Sequence, residues 1–243
     1  MKLLFVRHGD PDYEHDCLTA RGKKEAEALA GRLAQTEINA FYLSPLGRAQ
    51  ETAQPTLAAK GMTGTTCEWL REFEAPIYRP DADGALKITW DWLPQDWVSM
   101  NEFYSVDTWL SAPVMRRTHV DTQYNWVCKE LDAVLAKYGY ERDGKLYRVR
   151  KESKATVCFV CHYGVACVML SHLLSISPIL LWHGLVAQPA SVSSLATEER
   201  RQGIATFRMN HYGDTSHIEE AGLPANYKAC FAEVYSDFSQ RHD

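Results

Sequence analysis

The sequence has no uninterrupted apolar run of about 18 residues, which is the length that a membrane-spanning helix requires. Its first ten residues hold an apolar stretch too short for a signal peptide, and charged residues follow it at once. An excess of positive charge is also missing, because 26 Lys and Arg residues face 31 Asp and Glu residues. We therefore expect a cytoplasmic protein that has neither a membrane nor a nucleic acid as its partner.

The seven cysteines show no pairing pattern, since they are odd in number and scattered along the chain. Cys158, Cys161 and Cys167 fall in apolar surroundings, which favours reduced, buried thiols. Cys158, Cys161 and His162 also fit the C-x-x-C-H spacing of c-type haem attachment. Residues three apart on a strand point to opposite faces, however, whereas a haem needs both thiols on one side. We therefore expect no haem and no other cofactor.

The 243 residues contain no internal repeat or low-complexity tract, and their number suits one large domain, 1–243, that carries an insertion. Short apolar runs alternate with helical patterns along the chain. The predicted strands are 2–6, 40–43, 65–70, 156–161, 192–196 and 204–209, and the predicted helices are about 20–35, 44–59, 124–138 and 165–174. This alternation predicts a three-layer α/β fold, in which helices cover both faces of a mainly parallel sheet.

The segment from about 75 to 125 differs from the rest, because it is rich in aromatic, proline and acidic residues and has no clean period. We interpret it as an inserted helical cap that folds onto the main domain. Its aromatic residues fit two roles, either a lid that selects the substrate or a cap whose tryptophans pack on its own base. Both roles stay open at this point, as does the docking of the polar tail after Gly213.

Two predicted strands end in the same way, with an apolar run followed by His and then by Gly within two residues. Arg7, His8 and Gly9 follow the first strand, and His162 and Gly164 follow the strand that ends at residue 161. Open α/β sheets bind ligands beyond the carboxyl ends of their strands. If the two strands are neighbours, both imidazoles lie in one crevice, where glycine lets the backbone approach a ligand closely.

Arg48 falls in the first turn of the helix that Ser44 and Pro45 predict as N-cap and first helical residue. Because that helix follows a strand, its N-terminus faces the same edge of the sheet. Helix N-termini favour anions, and a guanidinium group adds a planar fork of donors that suits phosphate. Together with the residues at the two strand ends, Arg48 predicts a compact cationic site on a protein of negative net charge.

Several blocks of the sequence carry a family resemblance in their order and spacing. They are LFVRHG at 4–9, LT with RG at 18–22, YLSPLGRAQETA at 42–53 and CHYG at 161–164. Together they resemble the histidine phosphatase superfamily, the phosphoglycerate mutase-like fold, from residue 3 to about 174. The resemblance implies a metal-independent phosphomonoester hydrolase that needs no cofactor and acts on a small phosphorylated metabolite.

The resemblance also implies roles for individual residues. The histidine that matches His8 attacks phosphorus and becomes phosphorylated, while the residues that match Arg7, Arg48 and His162 hold the phosphoryl oxygens. Tyr163 and Gly164, which follow the second histidine, are expected to contribute to substrate binding.

A carboxylic acid after the third strand protonates the leaving oxygen in that family. Glu72 fits this position best, and Glu74, two residues further on, stays an alternative.

Phosphoryl transfer itself favours such a site. Its loose transition state spreads charge over the equatorial oxygens, so fixed donors aimed at those oxygens are the main requirement. Two arginines and a histidine supply such donors without a metal ion. His8 must be neutral to attack, and the nearby charges of Arg7 and Arg48 should lower its pKa. A covalent phosphohistidine then divides one difficult displacement into two easier ones.

Two other functions stay open. A cofactor-dependent phosphoglycerate mutase is the nearest, but those enzymes carry a Ser/Trp/Asn-containing stretch where this chain has DPDY at 10–13. That difference favours a phosphatase. A catalytically silent phospho-ligand-binding module is the second, although all the residues needed for catalysis are present.

The identity of the substrate is not fixed by these residues. Sugar phosphates, nucleotide-like esters such as ribazole phosphate and phosphopeptides all remain candidate substrates, and the oligomeric state stays open.

Residue types that can bind metal are concentrated directly after Gly9, where Asp10, Asp12, Glu14, His15 and Asp16 occur within seven positions. A metal site is one interpretation, but a proline and a run of charges are more typical of a solvated loop. We therefore predict no metal. If this loop rims the pocket, highly anionic substrates should be disfavoured.

Overall fold

The computed structural model describes residues 1–230 and residue 236. An eight-stranded sheet, in the order β5-β4-β10-β1-β11-β12-β9-β8, forms the centre of the molecule, and two pairs of short strands lie outside it. The strands are β1 Lys2–Arg7, β2 Pro11–Asp12, β3 Cys17–Leu18, β4 Ala40–Leu43, β5 Gly64–Thr66, β6 Pro76–Tyr78, β7 Leu86–Ile88, β8 Tyr140–Asp143, β9 Leu146–Val149, β10 Thr156–Cys161, β11 Val192–Arg201 and β12 Ile204–Asp214.

Helices surround the sheet. The α-helices are α1 Ala20–Ala34, α2 Gly47–Lys60, α3 Pro113–Arg116, α4 Val120–Lys137, α5 Tyr163–Leu174, α6 Pro178–Gly184 and α7 Ser216–Glu220. Short 3₁₀ helices cover Glu68–Leu70, Pro80–Ala82, Pro94–Asp96, Asn101–Tyr104, Trp109–Ser111 and Tyr227–Ala229. No helix in the described part of the chain is long and apolar enough to cross a bilayer.

Side-chain alternation along β1 explains the layers. Leu3 and Phe5 point into one hydrophobic cluster, which they share with apolar residues of α4 and α5. Leu4 and Val6 point into a second cluster, which they share with residues of α1 and α2. Because β1 is buried on both faces, its sequence is a continuous apolar run rather than an alternating one. The predicted three-layer α/β fold is confirmed.

The half of the sheet that holds the candidate site is parallel. Strands β5, β4, β10 and β1 run in the same direction, so their carboxyl ends lie at one edge. The remaining strands continue the sheet in antiparallel pairing through β11, β12, β9 and β8. The predicted strands at 192–196 and 204–209 are therefore the first parts of the two longer strands of a hairpin, which turns at Gly203 with a φ of 82°.

The predicted strand at 65–70 is wrong in its second half, because the chain leaves β5 after Thr66 and forms a 3₁₀ turn over Glu68–Leu70. Trp69 and Leu70 are adjacent in sequence, yet both are buried in the same hydrophobic cluster. A strand would have directed them to opposite faces, whereas a tight turn buries both on one side.

Helix α2 begins later than its sequence predicts, at Gly47 with Leu46 as its N-cap. The amide N–H of Ser44 donates to the Val160 carbonyl at 2.9 Å, so strand pairing continues through the predicted cap. The other helices agree with their predictions to within about four residues, since α4 starts at Val120 and α5 at Tyr163.

The inserted segment at about 75–125 contains a β-hairpin and short 3₁₀ helices, and its one α-helix before α4 is the four-residue α3. Most of its aromatic rings are buried in the main hydrophobic cluster rather than over an open pocket. These rings belong to Trp92, Trp97, Phe103, Trp109 and Tyr124. The segment is therefore part of the core of the protein, and its removal would expose that core.

Candidate active site

The register of β1 against β10 brings the two strand ends together. Arg7 lies opposite Cys161, so the next residue of each strand, His8 and His162, follows at the same level. The amide N–H of His8 donates to the Cys161 carbonyl at 3.0 Å, and the two imidazole centroids are 5.0 Å apart. Both histidines are almost completely buried. The predicted crevice at the carboxyl edge of the sheet thus contains both rings.

The surroundings of His8 fix its tautomer. Its Nδ1 lies 2.8 Å from the carbonyl oxygen of Gly9. Because a carbonyl oxygen only accepts, Nδ1 must carry the proton, and the Nε2 lone pair is left available. Burial, followed by the charge of Arg7, lowers the pKa of His8 to about 3. His8 is therefore a neutral base with one free nitrogen, as a nucleophile requires.

His162 is held by a residue that the sequence interpretation treated only as a helix cap. The Ser44 hydroxyl lies 2.7 Å from Nε2 of His162 and already accepts the Leu46 amide N–H at 3.2 Å. The Ser44 proton is therefore available to Nε2, which favours the tautomer with its ring proton on Nδ1. That Nδ1 is buried and has no partner among the described residues. Burial, followed by the charges of His8 and Arg48, keeps the pKa of His162 well below its ordinary value.

Each of the two arginines already makes one hydrogen bond through Nη1. Arg7 donates to the Ala187 carbonyl, and Arg48 donates to the carboxylate of Asp16. In each arginine, Nε is buried and makes no hydrogen bond within the described part of the chain. One nitrogen of each guanidinium group is thus occupied in the free protein, while other donors remain for an anion.

The two candidate proton donors occupy different environments. Oε1 of Glu72 accepts the amide N–H groups of Phe73 at 2.8 Å and of Val165 at 3.0 Å, so its carboxyl group caps the N-terminus of α5. Removal from water raises the pKa of Glu72, against the opposing effect of these N–H groups and of Arg7. Glu74 is exposed. The geometry brings Glu72 to the two strand ends and leaves Glu74 at the surface.

Close approach requires glycine at position 164. A Cβ atom there would lie 2.7 Å from Oε1 of Glu72 and 2.8 Å from Nε1 of Trp90. Trp90, from the inserted segment, donates from that nitrogen to the Phe73 carbonyl at 2.8 Å and packs edge-on against Tyr163. The insertion therefore reaches the candidate site through Trp90, which lies beside Gly164 and Tyr163.

The hydroxyl group of Tyr163 points away from the crevice. The hydroxyl lies within 3.2 Å of the carbonyl oxygens of Leu181, Trp182 and Leu185, and its single proton is directed to them. Its ring lies 5.7 Å from the guanidinium carbon of Arg7. The expected contribution of Tyr163 to binding therefore has to come through its ring, as support for Arg7, rather than through its hydroxyl.

A hydrogen-bonded network beneath the Arg7–Gly9 turn was also missed by the sequence interpretation. Buried Asp10 and Glu25 lie together there, since the Asp10 amide donates to Oε2 of Glu25 at 2.7 Å. The side-chain amide of Asn226 donates to both carboxylates, at 3.1 Å and 3.0 Å. The Gly9 amide donates to the Thr52 hydroxyl at 2.9 Å. These contacts hold the turn that carries His8.

The acidic loop and the cysteines show no metal or haem geometry. No group of three or more His, Cys, Asp or Glu side chains within residues 1–230 is arranged to hold a metal ion. Cys158 and Cys161 lie in different hydrophobic clusters on opposite faces of β10, as the strand period predicts. A single haem therefore could not reach both thiols.

The depressed pKa of His8 gives a prediction for the free protein. We expect the His8 imidazole to stay neutral, with its proton on Nδ1, from pH 8 down to pH 5, because a base whose pKa is about 3 gains a proton only below that range. Nitrogen-15 NMR of the histidine rings, assigned with a His8→Asn variant, measures this directly. A titration midpoint above pH 5 would contradict the burial argument.

Comparisons with known proteins show which family model and which folds this chain resembles. Residues 3–105 match the family model described as histidine phosphatase superfamily (branch 1), which confirms the predicted family resemblance over that range. No curated protein sequence matches the chain.

Solved structures match over nearly the whole chain. A mutant phosphoserine phosphatase from Entamoeba histolytica, in complex with phosphoserine, aligns with a TM-score of 0.56 at 16% identity, over 89% of this chain and 98% of that one. A mycobacterial glucosyl-3-phosphoglycerate phosphatase in complex with VO3 aligns with a TM-score of 0.53 at 20% identity, over 87% and 98%. YhfR of Bacillus stearothermophilus aligns with a TM-score of 0.56 at 22% identity, over 89% and 98%. At these identities the structures establish the phosphoglycerate mutase-like fold.

Proposed function

We propose that this chain, whose residues 3–105 match the histidine phosphatase superfamily, is a metal-independent phosphomonoester hydrolase that acts through a phosphohistidine on His8. The whole of 1–243 is taken as one phosphatase domain with an insertion at about 75–125. Two of the structural neighbours are named as phosphatases, of phosphoserine and of glucosyl-3-phosphoglycerate. The substrate proposed here is likewise a small phosphorylated metabolite.

One observation carries the proposal. Nine buried side-chain nitrogen or oxygen atoms lack a hydrogen-bond partner in the described part of the chain, and three of them belong to the crevice. These three are Nε of Arg7, Nε of Arg48 and Nδ1 of His162. Buried polar atoms are nearly always paired in proteins, so such a concentration requires an explanation. A phosphoryl group offers acceptor oxygens to donors of this kind, beside the free Nε2 of His8.

The reaction follows from this geometry in two steps. Nε2 of His8 attacks phosphorus, the bond to the ester oxygen breaks, and protonated Glu72 gives its proton to the departing alcohol. Water then attacks the phosphohistidine, and the Glu72 carboxylate takes a proton from that water, which releases inorganic phosphate and restores His8. Arg7, Arg48 and His162 balance the charge on the equatorial oxygens in both steps.

Glu72 suits the role of the acid for an electrostatic reason. Burial already raises its pKa, and a bound phosphoryl group adds negative charge nearby, which raises that pKa further. The carboxyl group thus holds its proton until the leaving oxygen develops charge.

The test is turnover of p-nitrophenyl phosphate and of a panel of phosphorylated metabolites by EDTA-treated protein. We expect hydrolysis that EDTA does not reduce, inhibition by vanadate, and a labelled protein after rapid quenching with a [³²P]phosphomonoester. Phosphate binding without turnover would establish the silent binding module instead. Conversion of 3-phosphoglycerate to 2-phosphoglycerate in the presence of 2,3-bisphosphoglycerate would establish a mutase.

We also propose that the protein acts in the cytoplasm. All seven cysteines are free, and four of them are buried: Cys128, Cys158, Cys161 and Cys167. Burial raises the pKa of each of these four thiols, to about 12 for Cys128, so they remain protonated and unreactive. Such thiols fit a reducing compartment.

A further inference from the structure

Asp16 makes contacts that an anionic ligand would otherwise make. One carboxylate oxygen accepts from Nη1 of Arg48, and the other accepts the amide N–H of Gly47 at 2.7 Å. Gly47 is the first residue of α2, so its N–H points out of the positive end of the helix. A guanidinium group and a helix N-terminus are the two donors that the sequence assigned to a phosphate, and in the free protein a carboxylate holds both.

The backbone at this position is shaped for the contact. Asp16 has a φ of 47°, in the left-handed region that residues other than glycine seldom adopt. Its carbonyl oxygen lies so close to α2 that a Cβ atom on Gly47 would approach it to 2.1 Å. The loop therefore fits tightly against the start of the helix. The carboxylate itself is less constrained, because the Asp16 side chain is 41% exposed.

The same loop also reaches His8. The ring of Tyr13 lies edge-on to His8 at 6.4 Å and over the guanidinium carbon of Arg48 at 5.3 Å. His8 is only 2% exposed, whereas Tyr13 is 66% exposed, so Tyr13 and the half-exposed Asp16 side chain can move into water at low cost. A phosphoryl group that takes the donors Nη1 of Arg48 and the Gly47 N–H must displace the Asp16 carboxylate.

We propose that Asp16 is a specificity-determining residue, an internal anion that occupies Arg48 and the start of α2 until the phosphoryl group of the substrate displaces it. The proposal rests on the function proposed above. Each binding event then exchanges one anion for another at Arg48, which weakens the net affinity for phosphate. Release of inorganic phosphate is favoured for the same reason, because the carboxylate returns to its donors.

Substrate choice follows from the exchange. The displaced Asp16 carboxylate stays at the mouth of the crevice, beside Asp12 and Glu14 of the same loop. A second anionic group on the substrate would meet this negative charge, whereas a neutral or amine-bearing leaving group would not. The substrate class we infer is therefore a phosphomonoester whose only strongly anionic group is the phosphoryl group.

Binding of inorganic phosphate, measured by isothermal titration calorimetry, tests the exchange without any turnover. We expect Asp16→Asn to bind phosphate about five- to tenfold more tightly than the wild type, because a neutral amide competes less well for Arg48. Glu14→Gln is the matched control, since it removes the same charge from the same loop, and Glu14 is exposed. An equal gain in both variants would mean that loop charge alone is responsible, and would overturn the proposal.

A second variant, Asp16→Gly, also removes the carboxylate. Glycine adopts the left-handed backbone conformation without strain, so this variant can be measured even if the asparagine variant misfolds. We expect the same gain in phosphate affinity. Weaker binding in either variant would show that Asp16 holds Arg48 in position for the ligand, which is the opposite role. Because the readout is binding, a wild type that binds phosphate but turns over no ester would refute the proposed function and leave this result interpretable.

Discussion

Replacing His8 with alanine is expected to lower kcat for phosphomonoesters on the order of 10⁴-fold or more, since removal of a nucleophile leaves only the electrostatic part of catalysis. Nδ1 of His8 is fixed on the Gly9 carbonyl, which leaves the Nε2 lone pair free, whereas the favoured tautomer of His162 carries a proton on its unpartnered Nδ1. Nε2 of His162 is already held by the Ser44 hydroxyl. Steady-state kinetics with p-nitrophenyl phosphate measures the loss.

His15→Ala is the matched control for that variant. His15 lies in the loop that follows His8, but its side chain is 67% exposed and its Nδ1 contacts Asp12 at 2.9 Å. We expect the control to keep its activity within about twofold, as is usual for surface substitutions. Rapid quenching should trap an acid-labile phosphohistidine in the wild type and in the control, and none in His8→Ala. Undiminished activity of a folded His8→Ala protein would mean that a different residue is the nucleophile.

Glu72→Gln is expected to lower kcat by about 10² to 10⁴-fold for alkyl phosphates, because a glutamine cannot donate a proton to the leaving oxygen. The effect should be much smaller for p-nitrophenyl phosphate, whose leaving group departs as a stable anion. Phosphate affinity should be little changed, since the two arginines remain. The ratio of kcat values for the two substrate classes, in wild type and variant, is the measurement.

Glu74→Gln is the matched control for this second variant. Glu74 is two residues from Glu72 and carries the same group, but it is exposed. We expect Glu74→Gln to lower kcat by less than about twofold for either substrate class. A loss that depends on the leaving group in Glu74→Gln, and not in Glu72→Gln, would reverse the assignment of the proton donor.

The parallel half of the fold could be predicted because its elements carry local signals. An apolar run buried on both faces marks β1 and β10, and glycine after each histidine marks the point where the chain leaves the sheet. Parallel neighbours place both ends at one edge, so the meeting of His8 and His162 follows from the topology alone. Arg48 could be predicted for the same reason, from its position in the first turn of α2.

The hairpin of β8 and β9 was missed although its signal is present. Gly144 and Lys145 form a two-residue turn between the strands, and Gly144 has a φ of 59°. Glycine at the first position of a two-residue turn is a hairpin signal, because that position requires a positive φ in the favoured turn types. Half of the strand residues are charged, so the strands lack the apolar alternation on which the strand predictions relied.

Contacts between distant polar residues had no comparable signal. Ser44 and His162 are 118 positions apart, and each has an ordinary local interpretation, as a cap and as a strand-end residue. Asp16 occurs in an acidic run that predicts a solvated loop, and only the left-handed backbone turns its carboxylate toward Arg48. Hydrogen bonds of this kind depend on the packing of whole elements, which a period of apolar residues does not encode.

The bonds from Asn226 to Asp10 and Glu25 have a consequence for how the protein folds during synthesis. Asn226 is 201 positions beyond Glu25, so the carboxylates beneath the His8 turn gain this partner only after residue 226 has left the ribosome. Until then, two buried acidic groups share that space without the amide, which is costly in a low-dielectric interior. A nascent chain that stops before residue 226 should therefore form its sheet but hold the turn that carries His8 less firmly, so full catalytic competence is acquired late.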